Sequence, residues 1–140
     1  MQNLQHLLEE FGIIGREVFT AFMAISGRNS DQTGGLLMLF DASDDDLICT
    51  WKIGNQSNEV WDKLFHTARH GKIPESSSIL NRRYILSFSG ISKKEDGAIV
   101  LMIAKLSRFI TEQQLMSLLG DEILPTYDAI NRHLAPRFKQ

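Results

Sequence analysis

The ten residues GAIVLMIAKL, Gly97–Leu106, decide how this chain is read. They are apolar on both faces under a two-residue period and are preceded by the polar segment SKKEDG. A short apolar run bounded by turn residues suits a central β-strand covered on both sides. On that reading SKKEDG is a hairpin turn, and the run pairs with the alternating segment Arg83–Ile91. There Tyr84, Leu86 and Phe88 share one face, and Ser87 and Ser89 the other.

Upstream, GGLLMLFDASDDDLICTWKIG, Gly34–Gly54, has the same form. Leu36–Phe40 and Leu47–Ile53 flank an insert rich in Asp and Ser. In the second run Leu47, Cys49, Trp51 and Ile53 fall on one face, and Ile48, Thr50 and Lys52 on the other. Asp and Ser bond their own backbone in turns. Asp41, Asp44, Asp45 and Asp46 therefore read as a hairpin turn. A calcium loop would need alternating ligands, a central glycine and a distal Glu, and this insert lacks that pattern.

Helical periodicity accounts for the rest. Asn3–Ser26 carries Leu4, Leu7, Leu8, Phe11, Ile14, Val18, Phe22 and Ile25 on one stripe, with Gly27 as a stop. Ser57 or Asn58 can cap a second helix that runs to about His70 and ends at Gly71. Thr111 and Gln114 form a capping box for a final helix, with Ile110 and Leu115 spaced for a hydrophobic staple. Pro125, together with Gly120, should kink or split that helix. The stretches Ser26–Thr33 and Gly71–Asn81 read as loops. The predicted order is α-β-β-α-β-β-α, an α+β fold with an antiparallel sheet flanked by helices. It forms one domain spanning residues 1–140.

Composition narrows the function classes. The formal charge is −2, from 15 basic and 17 acidic residues with no basic block, which argues against a nucleic-acid surface. The apolar run at Gly97 is about half of the ~20 residues a membrane helix requires. The opening MQNLQHLLEEFG has acids where a secretory leader carries basic residues, so a cytoplasmic location is expected. Cys49 is the sole cysteine, which excludes an intrachain disulfide and a Cys-based zinc cage.

Candidate site residues follow from type and placement. His66 and His70 are four apart on a helix, a spacing found in metal sites, but they lie opposite the apolar stripe. The glutamate that follows the first histidine in a zinc-protease helix is replaced by Thr67. Phe40, Trp51, Trp61, Phe65, Tyr84 and Phe88 fall on inward faces or near strand ends, where they could line a small-molecule pocket. Ile13, Met23 and Leu124 lie off the main apolar stripes and are candidates for a dimer interface. No nucleophile elbow, phosphate-binding glycine loop or paired acid and base stands out, so no catalytic residue is assigned. No cofactor is implied by the residues themselves.

The segment from Ile85 to Ile130 resembles the closing part of a GAF domain. There an apolar hairpin strand is followed by Phe109, Ile110, Thr111, Glu112, Gln113, Gln114 and Leu115, with one extra residue between Phe and Thr. The first helix and Gly34–Gly54 are similar to the family's opening helix and hairpin. The resemblance implies a GAF/PAS/profilin-like sheet, a regulatory or sensory role without catalysis, a small-molecule pocket and dimerisation through the terminal helices. The chain departs from the family's ligand-specific patterns. The cyclic-nucleotide motif is absent, Cys49 sits on a strand where a bilin attachment is not expected, and one cysteine cannot run the redox cycle of GAF-type reductases. Gly35–Lys72 also looks like the haem-associated GlcG-like domains, which would make His66, His70 or Tyr84 candidate iron ligands. A roadblock-like dimer scaffold is a third likeness. Fold analogy does not separate these functions. The expected partners are a second copy, a protein or a small molecule.

Overall fold

The computed structural model describes residues 3–74 and 78–138. The chain runs α1 (Leu4–Ser26), β1 (Gly34–Asp41), β2 (Asp46–Gly54), α2 (Asn58–Arg69), β3 (Ser78–Asn81), β4 (Tyr84–Ser89), α3 (Lys93–Leu106), α4 (Glu112–Leu118) and α5 (Leu124–Phe138). The fold is α+β. Four antiparallel strands form a sheet in the order β2-β1-β4-β3.

The deciding segment is not a strand. Gly97–Leu106 is the body of α3, and the element order predicted above is corrected accordingly. Ser92 caps α3 by accepting from the Glu95 amide, and its hydroxyl donates to Glu95 Oε1 at 2.6 Å. The residues read as a hairpin turn are thus an S-x-x-E helix start. Ala98 through Ala104 are all buried, because α3 lies between the sheet on one side and α1 and α5 on the other. A helix enclosed all round loses its amphipathic period. The hairpin on which the GAF resemblance leaned is therefore absent.

The hairpin partner of β4 is β3, on the side away from β1, and it lies in the stretch expected to be a loop; residues 75–77 of that stretch lie outside the described residues. Arg82, at φ 55°, helps turn β3 into β4 without the glycine or asparagine that usually marks such a turn. The first hairpin forms as expected, with one shift of register. Leu39 pairs with Cys49 but Phe40 pairs with Leu47, so Ile48 is the extra residue of a β-bulge. The bulge turns Leu47 toward α2 and sets Ile48 with the larger core, contrary to strict alternation.

The sheet is covered unequally. Leu37, Leu39, Ile53, Leu86 and Phe88 face α1 and α3, and α5 lies across those two helices. Leu36, Met38 and Phe40 face α2, with Ala68, Leu64, Phe65 and Ile73 around them. Each fully buried Leu, Ile or Phe contributes about 1.5–3 kcal/mol. The three-helix side thus carries most of the stabilisation.

The helix ends match the sequence signals. Asn3 caps α1 and Gly27 ends it in the left-handed conformation. Ser57 caps α2, and Thr111 and Gln114 make the reciprocal capping box of α4. The final helix is split: α4 ends at Leu118, and α5 begins at Leu124 with Pro125 in its first turn. Proline is tolerated there because the first-turn amides have no intrahelical partner.

Candidate functional site

The six aromatic candidates do not surround one space. Phe40 and Phe65 belong to the core under α2. Trp61, also on α2, lies beneath the Lys52 ammonium, which is 4.8 Å from its ring centroid, and packs 6.4 Å from Phe65. Trp51, Tyr84 and Phe88 belong to the opposite face. Trp51 meets Phe11 edge-on at 5.8 Å and abuts Gly12, where an added methyl would sit 3.2 Å from the indole. Alternation explains the division, since successive strand residues point to opposite faces. A single pocket lined by all six is replaced by two packed cores.

His66 and His70 are exposed on the last turns of α2, their ring centroids 4.4 Å apart. Tyr84 packs on the other face of the sheet, so the three suggested iron ligands do not converge. Among the described residues no group of three or more His, Cys, Asp or Glu side chains could hold a metal ion. Cys49 is half-buried, and burial pushes its thiol pKa up, away from a reactive thiolate.

The β1–β2 turn is built by its own carboxylates. Asp41 Oδ1 accepts from the Ser43 amide at 3.0 Å and its hydroxyl at 2.7 Å, and Asp44 Oδ1 accepts from the Asp46 amide at 3.1 Å. Asp45 adopts φ 57°, which Asp tolerates. Arg83, from the neighbouring hairpin, places Nε and Nη2 each 2.9 Å from Asp41 Oδ2. Those hydrogen bonds hold the Asp41 carboxyl at a pKa of about 2. Between this turn and the end of α2 lies an open cleft of about 320 Å³, lined by Asp44, Asp45, Asp46, Leu47, Arg69, His70 and Gly71. Its walls carry charges of both signs, and it suits a small polar solute better than an apolar one.

A buried junction at the opposite end of the sheet was not anticipated. Asp96, only 7% exposed, accepts from the amides of Ile91 at 3.0 Å and Gly90 at 3.3 Å. It fixes the corner where β4 leaves the sheet and α3 begins. Gln56 Nε2 donates to the carbonyls of Gly34 at 2.7 Å and Gly90 at 3.2 Å. Burial outweighs the two amide bonds and pushes the Asp96 pKa up to about 6. Arg28 pairs with Glu95 beside it. The one signal for this junction was the S-x-x-E sequence at Ser92.

Of the dimer candidates, Met23 is half-buried against the main core. Ile13 is 66% exposed but stands on a helix face with exposed Glu9 and Arg16. Leu124, 37% exposed, opens α5, and Met116 at 70% and Leu118 at 44% stand in solvent on α4, close to it in sequence; Leu80 of β3 at 58% and Ile25 at 39% are exposed as well. Helical periodicity places Leu118 on the inward stripe of the final helix with Leu115 and Leu119, but it stands in solvent, and Met116 falls outside that stripe. Among the described residues no helix is long and apolar enough to cross a membrane. No family model, curated protein or solved structure matches the chain.

Proposed function

We propose that the protein is a non-enzymatic regulatory module that works as a homodimer, joined at the corner between α4 and α5. The observation that carries this reading is the concentration of Met116, Leu118 and Leu124 in solvent over one short stretch. Single exposed apolar residues are ordinary on a monomer, but grouped ones mark an interaction surface. The sheet supports the same reading from the inside. Its two faces are filled by Leu, Phe and Met side chains, which suits a scaffold for binding protein better than a container for a ligand. Small-molecule binding plays a secondary part here and belongs to the open cleft beside Arg69 and His70.

Multi-angle light scattering at micromolar concentration tests the proposal. The expected mass is twice the 15.9 kDa of one chain. Leu118→Asp with Leu124→Asp should return the single-chain mass with the far-UV circular dichroism unchanged. A wild-type protein that scatters as one chain, or a double variant that stays paired, contradicts the assignment.

A further inference from the structure

The rings of His66 and His70 meet at the end of α2, their centroids 4.4 Å apart and their planes at 61°. Both residues are exposed. The backbone that carries them is firmly built. The His70 amide donates to the His66 carbonyl at 3.3 Å, the Gly71 amide to the Ala68 carbonyl at 3.0 Å, and the Lys72 amide to the Thr67 carbonyl at 3.1 Å. Gly71 holds φ 68°, so α2 closes in the paired bonds of a glycine-terminated helix end. Ala68, between the two histidines, is fully buried against the sheet. Two ring-bearing positions are thus fixed in space while the rings themselves reach water.

The spacing suits chelation. Residues four apart on a helix project from the same side, one above the other. Two imidazoles bound at about 2.0–2.1 Å to one tetrahedral zinc have ring centroids about 5 Å apart. The observed pair reaches that spacing by rotation about χ2, which is soft in histidine. The surroundings favour a cation. His70 lines the open cleft together with Asp44, Asp45 and Asp46, against the single arginine Arg69. Helix end and turn are in contact there, since a methyl on Gly71 would lie 2.9 Å from the Asp45 carbonyl oxygen. The last carbonyls of α2 add the negative end of the helix dipole. The aspartates supply field and not ligands, because no group of three or more such side chains among the described residues could hold a metal.

We propose that His66 and His70 chelate one zinc ion at the rim of the cleft between α2 and the β1–β2 turn, with water in its remaining coordination positions. Imidazole selects zinc and its late first-row neighbours, whereas carboxylate and water alone would select magnesium. The ion ties successive turns of α2 together and stabilises the folded chain by mass action. The assignment does not rest on the dimer, because both ligands belong to α2 of one chain.

Equilibrium dialysis of the full chain against zinc chloride at pH 7.5, with bound metal read by elemental analysis, tests the site. The expected result is one zinc per chain, whatever the oligomeric state. His66→Ala and His70→Ala should each weaken binding by about ten- to a hundredfold, because a lone imidazole loses the chelate. His6→Ala and His133→Ala should leave it unchanged. Zinc should raise the melting temperature of the wild type and not of the His66→Ala, His70→Ala double variant, whose circular dichroism should match the wild type. Equal binding by the double variant overturns the proposal. Magnesium chloride that displaces the zinc overturns it too, since it would show that the aspartates hold the ion. One zinc per two chains would place the ion between copies and contradict a site within one helix.

Discussion

Asp41 and Asp96 are both buried carboxylates by accessible surface, and their surroundings drive them in opposite directions. Asp41 is bonded by Arg83 and Ser43 and titrates near 2, below its ordinary 3.8. Its stabilising contribution is present above pH 3.8 and is lost as the pH falls through about 2. Arg83→Ala should raise the Asp41 pKa toward the ordinary value, which carboxyl-carbon NMR titration would report directly. Asp96 is held in a dry corner and titrates near 6. Its contribution is full below pH 3.8 and fades as the pH rises through about 6, because the charged form is the one burial disfavours. Between about pH 4 and 6.5 the wild-type melting temperature should therefore carry a downward component that Asp96→Asn abolishes. Equal slopes in the two proteins over that range would refute the assignment to Asp96. Neither role could be read from the sequence, since Asp41 was one acid among four and Asp96 part of an apparent turn.

Among the elements, legibility followed exposure. α1, α2 and the start of α4 each have a wet side, so their apolar residues recur with the helical period and their caps stand out. α3 has no wet side. Its residues from Ala98 to Ala104 are buried all round, and seven apolar residues in a row carry no period to separate helix from strand. The decisive signal was local: Ser92 and Glu95 cap a helix just as Thr111 and Gln114 do. β3 was missed because its apolar content is only Ile79 and Leu80, and because the turn after it uses Arg82. The corner between β4 and α3 tolerates little change. Gly90 has φ 148°, and a methyl there would lie 2.5 Å from the Gly34 carbonyl oxygen and the Gly35 Cα. Neither atom can move without parting β1 from β4. Gly90→Ala should cost roughly 2–4 kcal/mol in urea unfolding. A loss below about 0.5 kcal/mol, within the range of ordinary surface substitutions, would show that the crossing is looser than described.

At the scale of the molecule, the layers determine which surfaces remain for other partners. Three helices close one face of the sheet and α2 closes much of the other. The two edge strands are guarded by common devices: β2 by its bulge and by Asp46 and Lys52, β3 by being four residues long. Among the described residues, three of the six exposed large apolar side chains, Met116, Leu118 and Leu124, lie on α4 and at the start of α5, where the dimer contact is proposed, and Ile13, Ile25 and Leu80 stand elsewhere. The α+β class and the first hairpin were legible from the sequence. The aromatic pocket was not supported, since residues assigned to one lining proved to lie on both sides of the sheet. Every placement in this account depends on α3 being a helix enclosed between the sheet and α5. Backbone NMR of the isotopically labelled chain tests that most directly. The account predicts helical Cα and carbonyl shifts and sequential amide–amide contacts from Ala98 to Ala104, with amides among the slowest to exchange. Strand-like shifts there, with cross-strand contacts to Tyr84–Ser89, would contradict it.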